Sequence, residues 1–415
     1  MPKKQLPAEV DVVICGAGII GAAIAYFLTK ETSYRVLCLE KEHKGSGSTQ
    51  RSAAAFRQQF SSRVNVEFSL YSRYFYENFS KNFGLAEEVF HKNGYLFLYQ
   101  QADLWESALQ RMTLQRSLGV KDVESLTGSS LFHRFPQLRQ DPDFPLCGAT
   151  FCPTDGFLDP VLVCSSFLEK AKTAGLQLFE YTKLDQIETQ QKRVCAVEVD
   201  GQRVKTPIVM NASGVWSNEL CRSLGFAVPI VPVKRYLYTT NQFEQNVQNY
   251  PMIVCNLGVY TRPEIRGLMI GGDEKPAKPP GWNTFNPHPE PFTASYEMEE
   301  GFGAKNIEGY GYHLLFELAQ YLPFLETEAT LEAVTCGYYQ VSPDEKAILG
   351  EDPRLAGLYH AIGFSGHGVM HAPAVGQQMA QVLAGKPTTI DWRESLSLAP
   401  LLQHQKRADP EKMVI

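Results

Sequence analysis

Six residues near the start of the chain, Gly16-Ala17-Gly18-Ile19-Ile20-Gly21, carry the first chemistry that its residue types and spacing suggest. They follow an apolar β-rich run, VDVVIC, and open an alanine-rich helical one. Glycines in that position permit a tight turn and let backbone N–H groups approach a pyrophosphate at a helix N-terminus. Glu40 ends the next β-rich run, RVLCLE, nineteen residues beyond Gly21. A carboxylate there accepts hydrogen bonds from a ribose diol and disfavours a 2′-phosphate, so FAD and NAD both stay open while NADP does not fit. A second glycine cluster, Gly363-Phe364-Ser365-Gly366-His367-Gly368, opens the last helical run. A third stretch, TCGYYQVSP from Thr335 to Pro343, raises the question of whether Cys336 holds a cofactor covalently or is a buried thiol.

These residues need elements to position them. VDVVIC, GAAIAYFLTK and RVLCLE form a βαβ unit. From Ser69 to Ala108 the pattern is helical with a short strand at GYLFLYQ, and from Asp141 to Asp155 it is broken by Pro and Gly, as at a domain crossing. Residues 161 to 200 return to an α-then-β rhythm, and TPIVMNASG is an apolar strand running into a glycine. KRYLYTT, MIVCN, GVYTR and GLMIGG read as an antiparallel sheet. After a loop at 276 to 291 come a helix at GYHLLFELAQYL, strands near CGYYQV and LYHAIG, and a final helix from His367 to Leu383. The expected fold is α/β. A Rossmann-like dinucleotide domain is assembled from 1–85, 146–225 and 330–415, and residues 86–145 and 226–329 build a second, substrate domain on an antiparallel sheet with helices.

Composition narrows the class. The 415 residues are 44% hydrophobic and 20% charged, as in ordinary globular proteins. A net charge of -6 without a basic run gives no footprint for nucleic acid or anionic lipid. Nine cysteines with no C-x-x-C pair point to a reducing compartment and away from disulfide-reductase chemistry. A metal at Cys147 and Cys152, or at His367 and His371 four apart with no third ligand nearby, is not expected. MPKKQLPAEV lacks a signal-peptide core, so a cytoplasmic location is expected. The apolar stretch Val12 to Leu28 is punctuated by glycines as strand, turn and helix, so no transmembrane segment is expected.

VDVVICGAGIIG, the loop GSGSTQRSAAAFR, NASGVWSNEL and GFSGHGVMHAPAVG together resemble the D-amino acid oxidase superfamily of FAD enzymes, near sarcosine oxidase and dimethylglycine dehydrogenase. Through QQFS, CGYY and GFSGHG the chain is more similar still to the flavoprotein family that includes a mitochondrial complex I assembly factor. The resemblance covers nearly the whole chain and implies FAD. It places Gly16, Gly18, Ile19, Ile20 and Gly21 at the pyrophosphate, Glu40 and Lys41 at the ribose, Leu184 at adenine, and Ala212, Gly214 and Trp216 at a strand end beside the dinucleotide. Ser48, Thr49, Arg51 and Ser52 form the Ser/Thr-rich loop, and Gly337, Gly363, Phe364, Ser365, Gly366, His367, Gly368, Val369 and Met370 surround the flavin. The last helix would turn its positive end toward the negative charge of reduced flavin.

The same resemblance implies oxidation of a C–N bond in a secondary or tertiary amino acid, such as an N-methyl or cyclic one, by hydride transfer to flavin N5 and hydrolysis of the resulting imine. Arg57 falls where sarcosine oxidase-like enzymes place an arginine that binds the substrate carboxylate, a task suited to a planar fork of donors; a surface ion pair is the alternative. Tyr339 matches a family active-site tyrosine, Tyr260 and Arg262 are candidates to line the pocket, and Asp273 is a candidate base or amine partner. Tyrosines are also common in antiparallel sheets. Met370 and Met269 replace basic residues of those families, and Asp273 replaces a histidine. A cation near reduced flavin favours superoxide formation, so its loss points to a dehydrogenase feeding a quinone, flavoprotein or other acceptor rather than an oxidase using O₂. The attachment cysteine of sarcosine oxidase falls at Gly337, one residue from Cys336 and hence on the other strand face, and the attachment histidine of dimethylglycine dehydrogenase falls near Arg51. Noncovalent FAD is therefore expected. A second reading is a flavin-containing assembly protein of a respiratory complex with little turnover.

Overall fold

The computed structural model describes residues 5–255, 258–272 and 304–411. Asp273 and the loop expected at 276 to 291 lie outside the described residues. The fold is mixed α/β. Val12–Cys15 stands inside a six-stranded sheet ordered Ile348–Glu351, Leu358–Ile362, Val209–Asn211, Val12–Cys15, Val36–Leu39, Gln177–Phe179. All neighbours run parallel except the first pair. Parallel strands covered on both faces must be apolar throughout, and Val12, Val13, Ile14, Val36, Leu37 and Cys38 are fully buried.

The helix Ile19–Glu31 leaves the end of Val12–Cys15 and is flanked by the helices Pro160–Thr173 and Gly368–Leu383. Tyr26 and Phe27 pack their rings on Phe167 of Pro160–Thr173, while glycines allow closer approaches elsewhere. A Cβ at Gly21 would stand 1.9 Å from the Gly16 carbonyl oxygen, and one at Gly376 would stand 2.8 Å from that of Ala23.

A second sheet has eight strands in the order Leu331–Val341, Val231–Thr240, Gly267–Gly271, Tyr260–Glu264, Met252–Val254, Tyr95–Tyr99, Gly148–Cys152, Glu124–Leu126. It is antiparallel apart from the pair Met252–Val254 and Tyr95–Tyr99. Two of its strands, Gly148–Cys152 and Leu331–Val341, lie in segments that the sequence assigned to the dinucleotide domain. In this sheet Leu331–Val341 pairs along Val231–Thr240, and Gly148–Cys152 pairs with Tyr95–Tyr99. A small sheet of Ala55–Phe56, Gly156–Leu158 and Phe90–His91 carries the residues leading to Arg57.

The stretch after Ser62 is a helix, Arg63–Glu77, hydrogen-bonded to the last helix at several points along its length. Tyr76 Oη donates to the Val369 carbonyl at 2.6 Å, and Ala374 N donates to Ser72 Oγ at 3.3 Å. Its N-terminal donors are met from the far end of the chain. Asp409 accepts from the N–H groups of Arg63 and Val64, and Glu411 from those of Ser61 and Ser62. Among the described residues no helix is long and apolar enough to cross a membrane.

The approach at Gly21 is open to a direct check. Gly21→Ala must displace the helix from the strand end, and is expected to lower the thermal midpoint and the FAD content of purified protein together. Wild-type values for both would show that the contact tolerates a methyl group.

Candidate active site

A continuous cleft runs from the strand ends of the six-stranded sheet to the eight-stranded sheet. Gly16, Gly18, Ile19, Ile20, Glu40, Lys41, Ser48, Thr49, Arg51, Ser52, Leu184, Ala212, Gly214, Trp216, Gly337, Phe364, Gly366, Gly368 and Val369 line it, with Tyr260 and Tyr339. Gly21, Gly363, Ser365, His367, Met370 and Arg57 do not line it.

At one end the glycine loop is shaped by contact with the next strand. Gly16 has φ +105°, and a Cβ there would stand 2.5 Å from the Ala212 carbonyl oxygen, which restricts this position to glycine. Glu40 reaches back to the loop. Its Oε2 accepts from Ala17 N at 2.8 Å and its Oε1 from Glu42 N at 3.0 Å; burial raises this carboxyl above its ordinary value and the two N–H groups act the other way. Thr49 Oγ1 accepts from Ile19 N at 3.0 Å, and Lys41 Nζ lies 3.7 Å from the Trp216 ring centre. A side-chain-free loop opening a helix with no acid in its first turn, followed by a carboxylate, fits a dinucleotide.

The middle of the cleft is bounded by the Ser/Thr-rich loop and the long strand Leu331–Val341. Ser48 Oγ donates to the Tyr338 carbonyl at 2.6 Å, and Arg51 Nη1 donates to the carbonyls of Ser46 and Gly47. Gly337 faces that loop so closely that a Cβ would stand 2.9 Å from Arg51 Cβ. Cys336, one residue earlier, packs in the apolar cluster on the sheet's other face with Tyr236 and Tyr238.

At the far end the register sets which side chains meet. Arg235 pairs with Gly337, and Leu237 and Tyr260 both pair with Gly271. Because side chains alternate along a strand, Arg235, Leu237, Gly337 and Tyr339 share the cleft face. Tyr260 and Tyr339 both line this end, and burial first, then the neighbouring Tyr339, raises the Tyr260 phenol well above its ordinary value. The Arg235 guanidinium lies 5.6 Å from the Tyr339 ring centre. On the other side, Gly366 at φ +92° presses on that ring, where a Cβ would stand 2.6 Å from Cε2. Gln340 fixes the loop, its Oε1 accepting from Gly363 N at 2.8 Å and its carbonyl from Ser365 N at 3.1 Å. Arg262 is turned elsewhere, donating to the Ala53 carbonyl and paired with Glu264 at 2.8 Å. Arg235, Tyr338 and Gln340 were missed by sequence reasoning.

Residues 11–382 match the model of a family described as FAD dependent oxidoreductase. The chain belongs to this family. The flavoprotein is 27% identical over 399 residues to mouse (Mus musculus) mitochondrial sarcosine dehydrogenase, covering 93% of this chain and 41% of that protein, so it spans about two-fifths of that relative's length. It is 28% identical over 452 residues to FAD-dependent oxidoreductase domain-containing protein 1 of Xenopus laevis, covering 97% and 86% of the two chains. Its structure is similar to that of L-proline dehydrogenase from P. horikoshii, with a TM-score of 0.81, 27% identity, and coverage of 97% and 100%.

In this FAD-dependent oxidoreductase, Arg57 and His367 come together beside the cleft without lining it. Arg57 is 1% exposed, with its guanidinium 4.2 Å from the Phe60 ring centre and 5.6 Å from that of Phe97. Nη1 donates to the Gln59 carbonyl at 3.2 Å, and Nη2 lies 3.5 Å from His367 Nε2. Burial first, then the Arg57 and His371 charges, holds His367 well below its usual value, so its Nε2 serves as an acceptor. His371, pushed down to about 3 mainly by burial, shares a hydrogen bond of 3.1 Å with Ser69 Oγ.

The turn carrying Arg57 is anchored by Asp155. Its Oδ1 accepts from Gln58 N at 2.9 Å and Gln58 Nε2 at 2.8 Å, and its Oδ2 from Gln59 Nε2 at 3.2 Å. Burial raises this carboxyl to about 6, with the bonds from Gln58 and Gln59 opposing the rise. A carboxyl raised in the folded state adds stability that is full below its unfolded value near 3.8 and is lost as pH rises through about 6. The term is on the order of 3 kcal/mol. Asp155→Asn cannot titrate, so urea unfolding at pH 4 and pH 7 should show wild type losing about that much more stability than the variant over the interval. Parallel pH profiles for the two proteins would rule this out.

Proposed function

We propose that this FAD-dependent oxidoreductase acts as a dehydrogenase on the C–N bond of a secondary or tertiary amino acid, an N-methyl or cyclic one. The carrying observation is the far end of the cleft, where the Tyr260 and Tyr339 phenols and the Arg235 guanidinium meet the Gly366 loop. That end offers polar donors to a small zwitterion within walls otherwise apolar, from Leu237 and Phe364. Sarcosine and proline, named in two of the relatives, share a secondary amine next to a carboxylate. Bound FAD supplies the two-electron acceptor for hydride leaving the carbon beside nitrogen. The chain's residues do the rest: the glycine loop, Glu40 and Gly337 hold the dinucleotide, and the tyrosines orient the amine and exclude water. Asp273 stays a candidate amine partner.

Two features support a dehydrogenase with noncovalent FAD. Met370 is buried and Met269 packs against the core, so thioethers stand where the resembled oxidases carry cations. Cys336 points into the core, and the residue that faces the cleft is Gly337. Electrons would leave through a quinone, a flavoprotein or another acceptor.

Sarcosine or L-proline is expected to bleach the bound flavin anaerobically. With an artificial acceptor, turnover should exceed hydrogen peroxide production in air by about tenfold or more. Acid denaturation should release all the flavin into the supernatant. Peroxide formed at the full turnover rate would make the protein an oxidase. No bleaching by any N-methyl or cyclic amino acid would instead support the assembly role that the resemblance to the respiratory assembly factor implies.

A further inference from the structure

Behind the dinucleotide end of the cleft, Arg354, Asp352, His360 and Asn211 are joined in one line of hydrogen bonds. Arg354 is partly exposed, and the other three are buried, none more than 1% exposed. We propose that these residues form one positioning unit, which holds the corner formed by Ser213 and Gly214 against the glycine loop and so sets how tightly FAD is retained.

The corner lies where that hold matters. Ala212, Ser213 and Gly214 line the cleft just beyond the end of the strand Val209–Asn211. Gly16 packs on them so closely that a Cβ there would stand 2.5 Å from the Ala212 carbonyl oxygen and 3.1 Å from Ser213 Cα. Any shift of the corner is therefore passed to the loop that opens the helix Ile19–Glu31. Gly214 makes a left-handed turn at φ +59°, and Ser217 Oγ donates to its carbonyl at 2.6 Å. On the buried side, Asn211 Oδ1 accepts from Ser213 N at 3.3 Å and from Ser213 Oγ at 2.6 Å.

These two bonds dictate the rest of the line. A backbone N–H can only donate, so the Asn211 atom facing Ser213 is the oxygen, and its Nδ2 faces His360 Nδ1 at 3.3 Å. An amide nitrogen also only donates. His360 Nδ1 is then the acceptor, and the imidazole proton sits on Nε2, which donates to Asp352 Oδ2 at 2.9 Å. Arg354 meets the same carboxylate with two prongs, Nε to Oδ1 at 2.9 Å and Nη2 to Oδ2 at 2.7 Å. Burial acts to raise the Asp352 carboxyl, but the bonds from Arg354 and His360 outweigh it and hold the group below its ordinary value. Each donor along the line meets an acceptor, so removing one member leaves a buried partner unmet.

The test needs no substrate and stands apart from the amino-acid reading. FAD release from holoprotein is followed as the rise of flavin fluorescence on dilution, beside the thermal midpoint. Asn211→Leu deprives Ser213 of its acceptor and should quicken release by about tenfold or more. Asn211→Asp keeps an oxygen toward Ser213 and should stay within about threefold of the wild-type rate. His360→Phe should also quicken release, and His360→Gln, which can still donate to Asp352, should recover part of the difference. Gln378→Leu breaks the two hydrogen bonds of an equally buried carboxamide outside this line, and should lower the midpoint without quickening release. By nitrogen NMR of the wild type, the imidazole signal that is missing from His360→Phe should be that of a neutral ring protonated at Nε2. Where Asn211→Leu does not fold, the His360 variants and this signal decide. A wild-type release rate in Asn211→Leu or His360→Phe would overturn the proposal, as would equal quickening in Gln378→Leu or a His360 ring protonated at Nδ1.

Discussion

No side chain fits at three positions where the layers of the molecule cross. A Cβ at Gly16 would meet the Ala212 carbonyl, at Gly21 the Gly16 carbonyl, and at Gly376 the backbone of Ala23. Strand, helix and second helix are thus held at backbone contact, nearer than any ordinary side-chain packing permits. That closeness has consequences beyond stability. It brings the N-terminus of Ile19–Glu31 to the strand ends, within reach of the Glu40 carboxylate through Ala17 N. It also fixes the last helix, whose preceding loop forms the opposite wall of the cleft. A methyl group in this stack would move both walls at once.

The two sheets are joined at the cleft through one strand. Leu331–Val341 hydrogen-bonds along Val231–Thr240, yet its own polar groups turn outward to the first sheet's loops. The Tyr338 carbonyl accepts from Ser48, and Gln340 accepts from both Gly363 and Ser365. Ser365 adopts φ +49°, a left-handed conformation costing a serine roughly 1 kcal/mol. Bonds from Ser342 N to its Oγ and from its N–H to Gln340 offset that strain. The flavin-side loop is therefore set by the sheet it faces, not by its own glycines alone.

Legibility in the sequence followed the range of the interaction. The glycine loop, the acid ending the second strand and the glycine cluster before the last helix are local patterns, and all three border the cleft. The side of the strand that Cys336 occupies was also legible, because alternation needs only the neighbouring position. Arg57 and His367 were picked as residues that matter, but their meeting behind the cleft depends on the turn held by Asp155, whose segment reads merely as Thr-Asp-Gly. Arg235 was invisible for a related reason. KRYLYTT is an ordinary strand pattern, and its pairing with Gly337, about a hundred residues later, is what turns the arginine to the cleft. The partners of Gly148–Cys152 and Leu331–Val341 were not legible either, since neither strand carries anything that names its partner.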